Sequence, residues 1–136
     1  MSCVFCKIAR GEIPAVTVYE DEGTVAFLDI NPIEKGHTLV VPREHCETVM
    51  DAPETVLSRT IATVQKVACA LVKGGAVGVN VLQNNGPAAG QAVPHLHFHV
   101  IPRYATPPHA WANGAGKYAS DAERDACAHR IRENLS

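Results

Sequence analysis

The sequence carries almost no excess charge of either sign. Its 12 Lys and Arg stand against 14 Asp and Glu, a formal charge of -2 with histidine neutral. Long nucleic acid is held through many Lys and Arg contacts to phosphate, so this balance argues against such a partner. A small nucleotide needs only a few donors and stays open. Also missing is a run of about 20 apolar residues that would read as a membrane span. The opening MSCVFCKIARGEIP is interrupted by charge and Gly, unlike a signal peptide. The expectation is a cytoplasmic protein with no membrane partner. The cysteines number 5, which is odd, and in a cytoplasmic setting they argue against a disulfide framework. No repeat, low-complexity tract or linker divides the chain. One domain over residues 1–136 is therefore expected, and a hydrophobic content of 46% suits one modest core.

What is present reads as strands on both sides of one long helix. After a Cys-containing knuckle over residues 1–14, VTVYE and TVAFLDI form two strands joined by a charged turn, Asp21 to Gly23. HTLVVP is a third strand, ended by Pro42. From Pro53 the pattern turns helical, with an apolar stripe of Leu57, Ile61, Val64, Ala68 and Leu71. Asp51 suits its N-cap, Glu54 its first turn, and Gly74-Gly75 its end. Cys69, within VQKVACALV, reads as a small core residue. AVGVNVLQN is a fourth strand, NGPAAGQA a loop and VPHLHFHVIPR a fifth strand. Over residues 105–136, PPHAWANGAGKY has no clear period, and DAERDACAHRIRENL reads as a final helix with Asp121 near its cap. The pattern predicts an α+β domain with an antiparallel sheet.

The informative segment is HLHFHV. Alternate side chains of a strand share a face, so His95, His97 and His99 point one way and Leu96, Phe98 and Val100 towards the core. Three imidazoles on one stripe make a metal site or a site for phosphate chemistry, beside the plain reading of a polar strand face. The preceding loop favours phosphate. Gly86, Gly90 and Gln91 suit a bend whose amide N–H groups approach an anion, and Asn84 adds a neutral donor.

NPIEKGHTLVVPREH, GQAVPHLHFHVIPR and CVFCKIARGEIP together resemble the histidine-triad family, whose signature is His-x-His-x-His followed by two apolar residues. The likeness spans about three quarters of the chain and is weak after Tyr104, so residues 105–136 form a family-divergent tail. It implies a five-stranded antiparallel sheet, a homodimer, and a purine nucleotide such as AMP as ligand. The implied chemistry is cleavage at the α-phosphate through a covalent nucleotidyl-histidine, with adenosine 5'-phosphoramidate or AMP-lysine substrates favoured over dinucleoside polyphosphates. A nucleotide-binding scaffold with little turnover is the competing reading.

By this resemblance His97 is the nucleophile and the His95 carbonyl holds its tautomer. His99 meets the phosphate, and His37 supports the cluster from the neighbouring strand. Gly90, Gln91, Ala92, Val93 and Asn84 surround the phosphate. Asp29 takes the ribose, and Ile30 and Phe27, with Leu28 as a further candidate, form the base-side wall. Alternation forbids all three from facing it. Ala92 stands where many adenosine phosphoramidases of the family have Ser, so a hydroxyl donor is lost and the backbone N–H remains. Cys3 and Cys6 have metal-knuckle spacing, a weak signal alone. A subset of the family closes a structural zinc site with such a pair, and this carries over to Cys3, Cys6, His45 and His95. No organic cofactor is expected.

Overall fold

A computed structural model describes residues 3–105 and 111–135. Five strands form one antiparallel sheet: β1 (Thr17–Glu20), β2 (Thr24–Leu28), β3 (Thr38–Pro42), β4 (Gly78–Leu82) and β5 (Phe98–Arg103), in the order β1-β2-β3-β5-β4. The helices are α1 (Val4–Ala9), α2 (Glu54–Lys73) and α3 (Asp121–Asn134). This is the expected architecture, with α1 added. Six residues are too few to show a helical period, which is why the N-terminal segment reads only as a knuckle.

Strand alternation divides the core between the two faces of the sheet. Ala26, Leu28, Val40 and Val100 pack with Val64, Val67, Ala70 and Leu71 of α2 and Ala128 and Ile131 of α3. On the opposite face Val25, Phe27, Leu39 and Val41 meet Phe5 and Ala9 of the much shorter α1. One face is thus covered by a 20-residue helix and the other by a 6-residue helix. The site occupies what α1 leaves open.

Helix α2 is rotated from its expected phase. Its buried residues are Val56, Thr60, Thr63, Val64, Val67, Ala70 and Leu71, whereas Ile61 and Cys69 are exposed. Two threonines shift the buried face, and an apolar pattern excludes them. Each is satisfied inside the core: Thr60 Oγ1 donates to the Val56 carbonyl, and Thr63 Oγ1 lies 2.7 Å from Thr24 Oγ1. By length and composition alone α2 would pass as a membrane span, but it is no unbroken apolar run, and in the fold its buried face packs on the sheet. The N-cap of α2 differs as well, while Glu54 stands in its first turn and Gly74 at its C-cap as expected. Asp51 accepts from the N–H groups of Glu47 and Thr48 in the preceding turn, and Pro53 precedes α2. Ser120 caps α3 by accepting from Glu123 N, and Asp121 stands next to it in the first turn, near the cap as expected.

The chain after β5 returns to the sheet. Gly114 N and Gly116 N donate to the carbonyls of Asn31 and Pro32, and Gly36 N donates to Tyr118 Oη. Trp111 lies with its ring 4.5 Å from the Arg103 guanidinium. Of the PPHAWANGAGKY segment, residues 107–110 lie outside the described residues.

Candidate active site

The β5 ladder begins at Phe98, later than the expected start at Val93. His95 sits in a bend, its N–H donating to the Val93 carbonyl. His99 pairs with Leu39 on β3 and Leu82 on β4, which places it on the α1 side of the sheet. Phe5 of α1 packs edge-on against both neighbouring rings, at 6.0 Å from His95 and 5.0 Å from His97. The stripe is therefore split by one aromatic side chain. His97 and His99 remain together, 5.0 Å apart between ring centroids, while His95 faces a different set of residues.

The hydrogen bonds determine which ring nitrogens carry protons. Ile33 N–H donates to His37 Nδ1 at 2.9 Å, so a neutral His37 bears its hydrogen on Nε2. That nitrogen is 3.0 Å from His99 Nδ1 and 3.5 Å from Asp29 Oδ2. With His99 Nδ1 accepting, its Nε2–H is left as a donor. His97 has the opposite arrangement. Its Nδ1 lies 2.7 Å from the His95 carbonyl oxygen and must donate, which leaves a lone pair on Nε2. One imidazole thus presents a nucleophilic nitrogen and its neighbour a hydrogen-bond donor.

Burial keeps these rings neutral. It pushes His99 down to about 4, helped by His97 and His37 nearby. It also lowers His37 and His97, although the Asp29 charge opposes it at both and the His95 carbonyl opposes it at His97. A neutral imidazole is the nucleophilic form.

A cavity of about 470 Å³ opens over His97 and His99. Phe27, Asp29, Ile30, Asn84, Gly90, Ala92 and Val93 line it, as the sequence suggested. Phe27 is buried and packs edge-on against Phe5 at 5.5 Å, so it is both core and wall. Ile30 is 91% exposed at the rim. Leu28 borders the cavity and also belongs to the α2 side of the core. Asp29 accepts from Asn31 N–H through one carboxylate oxygen. Gly90 has φ +95°, and a Cβ there would come 3.6 Å from the Asn84 amide nitrogen.

Gln91 departs from its expected place as a phosphate donor. Its Oε1 accepts from Gly86 N, and its Nε2 donates to the carbonyls of Glu47 and Val93. The amide braces the loop from within. Phe5, Ile8, Leu39, Trp111 and Asn113 also line the cavity, and no motif or period in the sequence marks them. The nearest signal was Trp111 in an otherwise polar tail.

Cys3, Cys6, His45 and His95 bring their ligand atoms within 4.8 Å of one another. His95 Nδ1 is 3.4 Å from Cys3 Sγ, 3.5 Å from Cys6 Sγ and 3.2 Å from His45 Nδ1; Cys6 Sγ is 3.3 Å from His45 Nδ1. His95 Nε2 lies 2.8 Å from the Pro42 carbonyl, so the proton sits there and Nδ1 is free to bind. Asp29, His37 and His99 form a second close group. There the His37 Nε2 hydrogen and the hydrogen bond to His99 account for the proximity without an ion.

The site is a pair of neutral imidazoles beside a glycine loop on a five-stranded antiparallel sheet. The HIT domain family model matches residues 10–106, and the chain belongs to that family. It is 56% identical over 102 residues to a HIT-like protein of Methanocaldococcus jannaschii, covering 75% of this chain and 79% of that relative. It is 46% identical over 103 residues to an adenosine 5'-monophosphoramidase of Schizosaccharomyces pombe, covering 76% and 75% respectively. Among solved structures, a Zn-bound histidine triad family protein from Mycobacterium smegmatis superposes with TM-score 0.88 at 36% identity, covering 99% of this chain and 94% of that one.

Proposed function

We propose that this protein hydrolyses adenosine 5'-phosphoramidates, with His97 as the nucleophile at the α-phosphate. The observation that carries the reading is the opposed pair of tautomers: a lone pair on His97 Nε2 beside a donor on His99 Nε2. In the first step His97 Nε2 forms a bond to phosphorus as the P–N bond breaks. The departing amine takes that electron pair and a proton from solvent. Water then bonds to phosphorus and gives up a proton, the bond to Nε2 breaks, and AMP leaves. His99 Nε2–H, Asn84 and the loop amides of Ala92 and Val93 hold the phosphate oxygens, since the Gly90 and Gln91 N–H groups already donate to the Pro87 and Gly86 carbonyls. Asp29 receives the ribose, with Phe27 and Ile30 beside the base.

The Cys3, Cys6, His45 and His95 group suits zinc. With bonds of about 2.3 Å to sulfur and about 2.05 Å to nitrogen, a tetrahedron has nitrogen–nitrogen edges of about 3.3 Å and sulfur–nitrogen edges of about 3.6 Å. The four spacings of 3.2–3.5 Å fall close to these values. When bound, the metal is structural: it fastens α1 to the residue that orients His97. The reading also includes a homodimer. In its support, edge strand β4 is partnered on one side only and carries Val81 at 49% exposure.

The test is mass spectrometry of protein quenched during turnover of AMP-amine. An adenylyl adduct on His97 is expected in the wild type. His97→Ala should keep AMP binding and lose turnover. Wild-type protein that binds AMP but releases none from any phosphoramidate, and forms no adduct, would favour the scaffold reading.

A further inference from the structure

The nucleotide cavity does not end at the phosphate loop. A second cavity of about 430 Å³ shares Val4, Ala92 and Val93 with it, so these residues form a common ridge. Beyond the ridge the walls are Cys3, Cys6, Arg10, His45, Glu47 and Pro94. We infer that this second cavity receives the group displaced from the α-phosphate, and that Glu47 selects an amine whose far end carries an ammonium. The inference rests on the phosphoramidate reading above and names its leaving group.

Three observations converge. The first is direction. Asp29 and Ile30 lie in the nucleotide cavity with His97 and His99, and the shared ridge lies on the glycine-loop side. A substrate with its nucleoside at Asp29 and its phosphate at His97 continues over Ala92 and Val93.

The second is the nature of the path. Val4, Ala92, Val93 and Pro94 offer methyl and methylene surface and no side-chain hydrogen-bond donor. That surface suits a methylene chain and gives no help to a departing phosphate or other oxyanion.

The third is charge at the end of the path. Glu47 is fixed through its backbone, its N–H donating to Asp51 and its carbonyl accepting from Gln91 Nε2 at 2.6 Å. Among the described residues its carboxylate has no hydrogen bond or ion pair. Arg10, the one guanidinium in the wall, is already held by Glu12. An alkylammonium therefore finds an unclaimed carboxylate, and an anion finds no unclaimed guanidinium. Gln91 couples the two regions, since the amide that braces the phosphate loop also holds the Glu47 backbone.

The experiment uses adenosine 5'-phosphoramidates of pentylamine, of the matching diamine and of the matching amino acid. They are alike in length and differ only in a terminal methyl, ammonium or carboxylate. Glu47 is exposed, so wild-type kcat/KM should be at most about fivefold higher for the diamine than for pentylamine, the upper end for an exposed ion pair, and lowest for the amino acid. Glu47→Gln should bring the three together, and Glu47→Lys should reverse the order. Calorimetry on His97→Ala and on His97→Ala with Glu47→Gln reads the same preference without turnover. Turnover with no ranking, together with equal binding of the three by both variants, overturns the assignment and leaves the hydrolase reading intact. Ranked binding to His97→Ala with no wild-type turnover does the reverse: the cavity assignment stands and the hydrolase reading falls.

Discussion

His95 turns its carbonyl to His97 and its ring to Cys3, Cys6 and His45; the carbonyl oxygen lies 2.7 Å from His97 Nδ1. One residue thus joins the orientation of the proposed nucleophile to the docking of the N-terminal arm. The metal set and the proposed catalytic pair are separate in chemistry and continuous in backbone.

Metal removal should therefore reach the active site indirectly. Cys3→Ser, or chelation of the wild type, should lower Tm by at least about 5 °C, because structural zinc contributes folding energy outright. It should reduce kcat for AMP-amine more than it weakens AMP binding, since Asp29, Asn84 and the glycine loop lie outside the cluster. Elemental analysis should find one zinc per chain in the wild type and in His97→Ala alike. Metal-free protein that melts and turns over like the untreated protein would remove the structural role.

The buried imidazoles make an acid-sensitive fold. Burial pushes His99 down to about 4 and lowers His37 from its ordinary 6.5. Above pH about 6.5 both native and unfolded chains hold these rings neutral, and the stability is complete. As pH falls from about 6.5 towards about 4, the unfolded chain takes up protons that the native rings refuse, so stability declines. Denaturant midpoints measured across this window should fall steadily. His99→Gln should flatten the slope by about one proton. An unchanged slope in that variant would mean that His99 protonates normally in the native state.

The sequence made the period-two features plain and missed those set by single hydrogen bonds. The sheet, and His99 beside His97, follow from alternation and needed no tertiary knowledge. Alternation says nothing of where a ladder begins, so the bend at His95 was invisible. Spacing likewise placed Gln91 in the phosphate loop but could not say that its amide turns inward. Thr60 and Thr63 conceal the true phase of α2 because a stripe of apolar residues leaves them out. The metal set joins residues 3, 6, 45 and 95, far apart along the chain, and only family resemblance could assemble it.

Gln91 offers a direct check on bracing against phosphate contact. Gln91→Ala removes three hydrogen bonds and leaves Gly86 N–H without this partner. A loss of about 1–3 kcal/mol in stability is expected, on the scale of an unsatisfied buried donor. Gln91→Glu should keep the bond from Gly86 N–H while facing the Glu47 and Val93 carbonyls with a carboxylate, and so should restore little. If Gln91 instead served only the phosphate, both variants would melt like the wild type and lose only nucleotide affinity. Thermal melts with and without AMP distinguish the two outcomes.

Gly116 tests whether the C-terminal segment is part of the domain or an appendage. A Cβ at this position would lie 2.3 Å from Glu34 Cα and 2.6 Å from Glu34 C, and those atoms are backbone that cannot rotate away. Gly116 N also donates to the Pro32 carbonyl, so the contact is held from both sides. The strand of chain beneath it runs from Asp29 to His37 and includes Ile33, whose N–H fixes the His37 tautomer. Gly116→Ala should therefore cost about 1–3 kcal/mol through overpacking and should also weaken AMP binding. Gly75→Ala provides the contrast: its Cβ would meet nothing within 4 Å, but its φ of +119° adds backbone strain far from the nucleotide cavity. It should lower stability and leave AMP affinity unchanged. Equal AMP affinity in both variants would show that the return of the chain over residues 31–36 supports the fold without positioning His37.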